Sequence, residues 1–338
     1  MRYVRRGTLA FVLLASASAG AQAPSSPPAA APTVEVQATR PPEIPSWRFV
    51  LSDLTVYRYN ETGIENQMRV GIQKRLYESD KPISRDNFLH VGVYPKLNPA
   101  YVKIGPSIEL QPVSVFNLRV AAEFVDYFST FGYLQSFQTP TANYSPDARK
   151  VGEDLVRNYA TTGAHVTIEP TLQFKFGPIA VRDKLSIEYW RMRLHGADAS
   201  GRPDTVFYDA TLDTLVPGNG WTLANDLDVL YQRKTDDNGQ MLSVGARYTL
   251  VHPFYDASMF KDGEDASYAK NAHMRLGVVG AFTFFDHGYT RFNKPTLLMI
   301  VSWYLQHEYR GPGCSSDCVN AAIPYIVAGF SFQSDLMQ

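Results

Sequence analysis

Beyond its N-terminal stretch, the sequence holds no apolar run long enough to cross a bilayer as a helix, which takes about 20 residues. Transmembrane helices are thereby excluded for the body of the chain. Cysteine is nearly absent, with two residues, Cys314 and Cys318, among 338. A disulfide framework cannot be built from them, and two thiols with no neighbouring His cluster are too few ligands for a zinc site. Charge of one sign is also lacking. The formal net charge is −1 with 19% charged residues, which leaves no electrostatic footprint for nucleic acid. No phosphate loop, zinc motif or CxxC motif occurs, and nothing in the chain calls for a cofactor.

What is present starts with export. Arg2, Arg5 and Arg6 precede the short apolar run Leu9 to Ala15, then the small residues Ser16 to Gly20, then Ala21-Gln22-Ala23. That order predicts a secretory signal peptide over 1–23. Residues 24–46, beginning PSSPPAAAPT and closing on Pro41, Pro42 and Pro45, are too poor in large apolar side chains to form a core and read as a linker. The folded part is expected over 47–338. Export places Cys314 and Cys318 in an oxidising compartment, where the CSSDC segment predicts a local disulfide stapling one turn.

The main signal is alternation. In HVTIEPTLQFKF (165–176), Val166, Ile168, Pro170, Leu172, Phe174 and Phe176 share one face. His165, Thr167, Glu169, Thr171, Gln173 and Lys175 share the other. Segment 116–124 sets Phe116, Leu118, Val120 and Phe124 against Arg119 and Glu123. Segment 102–111 sets Val102, Ile104, Ile108 and Leu110 against Lys103 and Glu109. The same period places Arg69 and Arg75 (68–77), Arg182, Lys184 and Glu188 (181–189), and Asp209 (206–213) opposite apolar faces. It does so again for Asp226 and Asp228 (221–233), Arg247 (242–250), Arg275 (274–284) and Glu308 (297–308). Segments 48–59 and 88–94 read as strands of mixed phase.

Soluble sandwiches alternate too. These segments run to about 9–14 residues, whereas soluble strands average about 5–6. Trp and Tyr recur near their ends, as an interfacial girdle requires. Aromatic residues make up 13% of the chain. The fold predicted is all-β: a single antiparallel transmembrane β-barrel of 12–14 strands, with 12 favoured. QPVS (111–114) and FGPI (176–179) are expected as tight periplasmic turns, and 129–160 and 252–271 as surface loops. Under any one strand count these connections do not alternate cleanly from end to end.

The signal peptide, the alternating strands and the terminal segment IVAGFSFQSDLMQ (326–338) make the mature region resemble bacterial outer-membrane β-barrel proteins of the porin-like and transporter-like kind. That resemblance implies an outer-membrane location, contact with lipid and with the barrel-assembly machinery, and small solutes as ligands. The chain departs from the pattern by ending in Gln338 rather than an aromatic residue. Val34-Glu35-Val36-Gln37-Ala38-Thr39-Arg40 resembles the energy-coupling box of TonB-dependent receptors. A plug domain with a 22-stranded barrel has no room here, and a β-prone patch in the linker is the simpler reading.

The charged positions form an inward set of both signs: Arg69, Arg75, Lys103, Glu109, Arg119, Glu123, Glu169, Lys175, Arg182, Lys184, Glu188, Asp209, Asp226, Asp228, Arg247, Arg275 and Glu308. Such a set suits a wet lumen tuned for solutes, or an interior closed by ion pairs. Its balance argues against strong charge selectivity. Three functions stay open: a porin or channel-like passage; an outer-membrane hydrolase of lipid or peptide; or a closed structural or adhesive barrel acting through its loops. The hydrolase lacks a local Ser–His motif. His165 and Glu169 lie about 13 Å apart along one strand. Oligomeric state is not legible.

Overall fold

The computed structural model describes residues 44–154, 157–196, 201–236 and 238–337. The expected signal peptide (1–23), nearly all of the expected linker (24–46) and the Val34–Arg40 patch lie outside them. Twelve antiparallel strands close into one barrel. They are Trp47–Tyr59, Gly63–Lys74, a third in two pieces (Phe88–Val93 and Lys96–Asn98), a fourth in two pieces (Tyr101–Ile104 and Pro106–Val113), Phe116–Phe128, Ala160–Phe176, Ile179–Met192, Asn219–Lys234, Met241–Pro253, His273–Thr283, Asn293–Gln306 and Tyr325–Asp335. Closure is by the first strand. It pairs with the second from Trp47↔Lys74 to Arg58↔Gly63, and with the last from Val50↔Asp335 to Tyr59↔Ile326. The closed sheet has no free edge, so backbone polar groups need no water at membrane depth. The fourth strand breaks at Gly105, where a Cβ would stand 1.9 Å from the Ala122 carbonyl oxygen.

The connections alternate from end to end. The start of the first strand, the end of the last, the connection 75–87, the turns Ser114–Val115 and Gly177–Pro178, and connections 235–240 and 284–292 lie at one end. Gly177 has φ +56, the left-handed geometry that its tight turn needs. The long connections 129–159, 193–218, 254–272 and 307–324 lie at the other end with the short turns 60–62 and 99–100. Short turns mark the periplasmic side and long loops the outer side. The mismatch in the sequence reading came from counting 206–213 as a wall strand. Val206–Asp209 instead belongs to a separate three-stranded sheet, and removing it from the wall restores the alternation.

Cross-strand partners point to the same side of a sheet, so the register separates the two faces of the wall. The outer face is apolar over most of its height. Trp47 and Tyr59 bracket it on the first strand, and Trp221 and Tyr231 on the eighth. Two polar clusters interrupt it. On the first two strands, Asp53, Thr55 and Asn66 face outward midway between Trp47 and Tyr59. The Asn66 amide donates to the Asp53 carboxylate at 2.7 Å and to the Thr55 hydroxyl at 2.8 Å. On the seventh and eighth strands, six positions around the barrel, Asn225 donates to Asp183 at 2.6 Å. Asp53 and Thr55 account for the mixed phase of 48–59. Replacing Asp53 and Asn66 together with Leu is expected to raise the unfolding free energy in lipid by about 1–3 kcal/mol, because it removes polar groups from the hydrocarbon depth. Denaturant titration in phosphatidylcholine vesicles measures this, and a loss of stability would contradict a lipid-facing assignment.

Candidate functional site

The inner sheet consists of Ser136–Phe137, Val206–Asp209 and Thr214–Pro217, antiparallel throughout. Its sequence explains the misreading. VFYD and TLVP are β-prone runs, but every residue in them is buried, so the alternation of VFYD corresponds to no lipid-facing side. The hairpin turns where the Asp209 carboxylate accepts from the Thr211 and Leu212 N–H groups, at 2.8 and 2.9 Å. Phe207 meets Trp190 and Tyr127 of the wall edge-on, at 5.4 and 6.4 Å between ring centres. Asp209 lies 3.8 Å from the Lys103 ammonium. The His273 ring donates to the Leu212 carbonyl at 2.6 Å, and the Thr214 hydroxyl to the Asn271 carbonyl at 2.7 Å. These contacts reach wall strands on several sides, so the sheet fills the outer half of the lumen.

Two carboxylates tie this sheet to the rim. Glu61, in the turn 60–62, accepts from Arg149 at 2.5 Å and Arg310 at 2.6 Å. Asp213 has the Arg310 guanidinium at 2.8 Å and accepts from the Tyr208 hydroxyl at 2.6 Å and the Tyr304 hydroxyl at 2.5 Å. Burial pushes the Asp213 carboxyl upward, yet the Arg310 guanidinium and the two tyrosine hydroxyls outweigh it and hold the group well below the usual carboxylate range. The His307 ring accepts from the Tyr309 N–H on Nδ1 at 3.0 Å and donates from Nε2 to the Asp213 carbonyl at 2.9 Å. This is the neutral tautomer, and burial holds the imidazole below its ordinary value. An Asp–His pair is what a hydrolase reading asks for. Here both ring nitrogens are committed to the backbone, and the two side chains are 1% and 2% exposed.

Below the sheet the lumen is a ladder of ion pairs. Arg119 and Lys184 share Glu169, at 2.5 and 3.2 Å. Arg182 and Arg247 share Asp228, at 2.8 and 2.6 Å, and Asp226 stands 4.0 Å from Arg247. Arg69 pairs with Glu109. Glu123 meets Lys96 at 3.0 Å and the His165 Nδ1 at 2.8 Å, while the His165 Nε2 meets Glu188 at 3.0 Å. His165 stacks on Trp190 at 3.8 Å between ring centres. Most charges singled out in the sequence therefore meet one another inside the wall. Arg58, Glu65 and Lys96 were missed. The first two are on strands whose phase the Asp53 cluster obscures, and Lys96 follows the break at Tyr94–Pro95.

Four other positions stand apart from the ladder. Arg75 lies one residue beyond its strand, in the periplasmic connection. Lys175 is exposed near the turn 177–178, and Arg275 is buried in the wall. Glu308 is not in the wall. Its strand ends at Gln306, and a register shift between Met274 and Arg275 pairs Arg275 with Tyr304 and Met274 with Gln306. The bulge turns Gln306 outward and ends the alternation that placed Glu308 inside. Cys314 and Cys318 are bonded within the outer loop 307–324.

The ladder borders a cavity of about 1140 Å³. Pro82, Ile83, Ser114 and Val115 line it, so it reaches the end that carries the turns 114–115 and 177–178. A smaller cavity of about 220 Å³ lies deeper, beneath Asp209, Thr211 and Leu212 of the inner hairpin.

No protein-family model matches the sequence, and no curated protein matches it. Among solved structures, the chain is similar to the β domain of the Bordetella autotransporter BrkA at 8% identity and TM-score 0.43, over 86% of this chain and 99% of that one. It is similar to the porin NanC at 10% identity and TM-score 0.35, over 85% and 100%. It is similar to OprB of Pseudomonas putida at 9% identity and TM-score 0.31, over 86% and 94%. At such identities and TM-scores the likeness carries no argument about function. Closed, apolar outside and charged within, the molecule is a bacterial outer-membrane β-barrel. No specific family is assigned.

Proposed function

We propose that the barrel is a gated passage for small solutes, with the inner sheet as its outer gate. The observation that carries this reading is the placement of the large cavity. It reaches the periplasmic end and stops beneath a sheet that shares no strand ladder with the wall. A segment held through side chains can leave without unpairing the barrel.

Planar-bilayer recording tests the reading. The folded protein is expected to conduct rarely at neutral pH and more often as the pH falls. The sign follows from His307 and Asp213. His307 is held neutral in the closed state, so a released loop binds a proton more readily below about pH 6.5, the ordinary imidazole value. Asp213 is held ionised, and its contribution to closure is lost as the pH falls below the usual carboxylate range, toward its depressed value. Both effects weaken closure in acid. Folded protein that stays silent from neutral to acid pH, and also when its inner hairpin is deleted, would overturn the passage.

A further inference from the structure

The large cavity is unequal in charge, although the barrel as a whole is not. Arg58, Arg119, Lys175, Arg182, Lys184, Arg247 and Arg275 line it, against the carboxylates of Asp226 and Asp228 alone. Two more carboxylates stand behind the lining: Glu169, shared by Arg119 and Lys184, and Glu65, 3.8 Å from Arg58. Seven cations then face four carboxylates, an excess of three.

The excess is localised. Among the described residues, neither Lys175 nor Arg275 forms an ion pair. Arg275 is 7% exposed, and its Nε and Nη1 are buried without a hydrogen-bond partner. Its guanidinium lies 4.0 Å from the Tyr325 ring centre. A buried guanidinium with unmet donors is costly unless an acceptor reaches it. Arg275 lines the cavity beside the Tyr325 hydroxyl, and the neighbouring carboxylates are already engaged: Asp228 by Arg182 and Arg247, and Asp226 by the Thr249 hydroxyl at 2.6 Å, so an anionic partner for its charge would come from the cavity. Hydroxyls of Ser243, Thr249 and Ser302 line the same space and suit a polar ligand body. At about 1140 Å³ the cavity is larger than a lone inorganic ion needs and lies just above the small-molecule range.

We propose that this cavity is a binding site for a small organic oxyanion, a carboxylate or a phosphate ester, with Arg275 as its deep anchor and Lys175 as the cation at its mouth. The inference rests on the passage reading for the ligand's route and names its solute class. The bulk balance of charge pointed the other way, because the carboxylates concentrate among the ion pairs nearer the inner sheet.

Calorimetric titration of the refolded full chain in zwitterionic detergent tests it, with citrate, inorganic phosphate and maltose as probes. Citrate or phosphate is expected to bind and maltose not. Binding should weaken with added sodium chloride. Arg275→Gln and Lys175→Gln are each expected to weaken citrate or phosphate binding by about tenfold, the effect of one lost charge-assisted hydrogen bond. Lys175 is exposed, so its variant keeps the test valid should Arg275→Gln fold poorly. Phosphate binding without citrate identifies phosphate esters, and the reverse identifies carboxylates. Equal binding of maltose, no binding of either anion, or wild-type affinity in Lys175→Gln and in any Arg275→Gln that folds overturns the site. Binding in detergent needs no conductance. Conductance without anion binding therefore overturns this inference and leaves the passage, while anion binding in a protein that never conducts overturns the passage alone.

Discussion

A variant in which residues 195–217 are replaced by a short Gly-Ser linker is expected to insert as a stable barrel and to conduct about tenfold or more above the wild type, as water replaces side chains in the lumen. The wall does not need the inner sheet. All twelve strands complete their ladders through neighbours in the wall, and closure runs through the first and last strands. What the wall loses is packing on one side. Tyr127 and Trp190 lose Phe207, and Lys103 loses Asp209. These side chains would then face water, which suits Lys103 and costs the two aromatic rings some burial. Connection 129–159 also enters the mouth, with Leu134 and Tyr144 buried. A second variant shortening that connection as well separates partial from complete opening. Single-channel conductance is the measurement. No rise in either variant, with folding verified by heat-modifiable migration, would show that the lumen is blocked by the wall's own ion pairs.

The second large effect is expected at Asp213. Asp213→Ala removes the carboxylate on which Arg310, Tyr208 and Tyr304 converge. Removing one partner of a buried ion pair costs about 3–5 kcal/mol, because the other charge stays buried without compensation. Here the cost falls on the closed arrangement of the loops. Asp213 contributes nothing to a wall ladder, so the barrel is expected to keep its strand content and its resistance to detergent. The amides of 206–217 should exchange with deuterium much faster than in the wild type. Arg310 retains Glu61, so connection 307–324 should stay docked longer than the hairpin does. Unchanged protection across 206–217 would mean that aromatic packing alone holds the sheet, and the acid sensitivity of closure would lose its basis.

The wall was readable wherever a strand kept one face apolar for its whole length. In the strand 160–176, alternation alone assigns the two faces of 165–176. It does not do so in strand 47–59, because Asp53 and Thr55 put polar groups on the lipid side. The bulge opposite Arg275 hid the end of strand 293–306, and so misplaced Glu308, since a single extra residue reverses the facing of those that follow. The lumen cations were mostly legible by type and phase. Their partners were not: His165 meets Glu123 and Glu188 from neighbouring strands, and spacing along one strand says nothing about contacts across a ladder.

The sequence by itself determined a transmembrane barrel of about twelve strands with a charged interior, because period-two alternation is a local property and lipid enforces it strand by strand. Only the tertiary structure decided that 206–217 folds inward as part of a separate sheet and that the cations gather in the cavity left below it. Both depend on which distant residues a closed wall brings face to face, and a run buried on every side carries no period that marks it as inside the barrel rather than part of it.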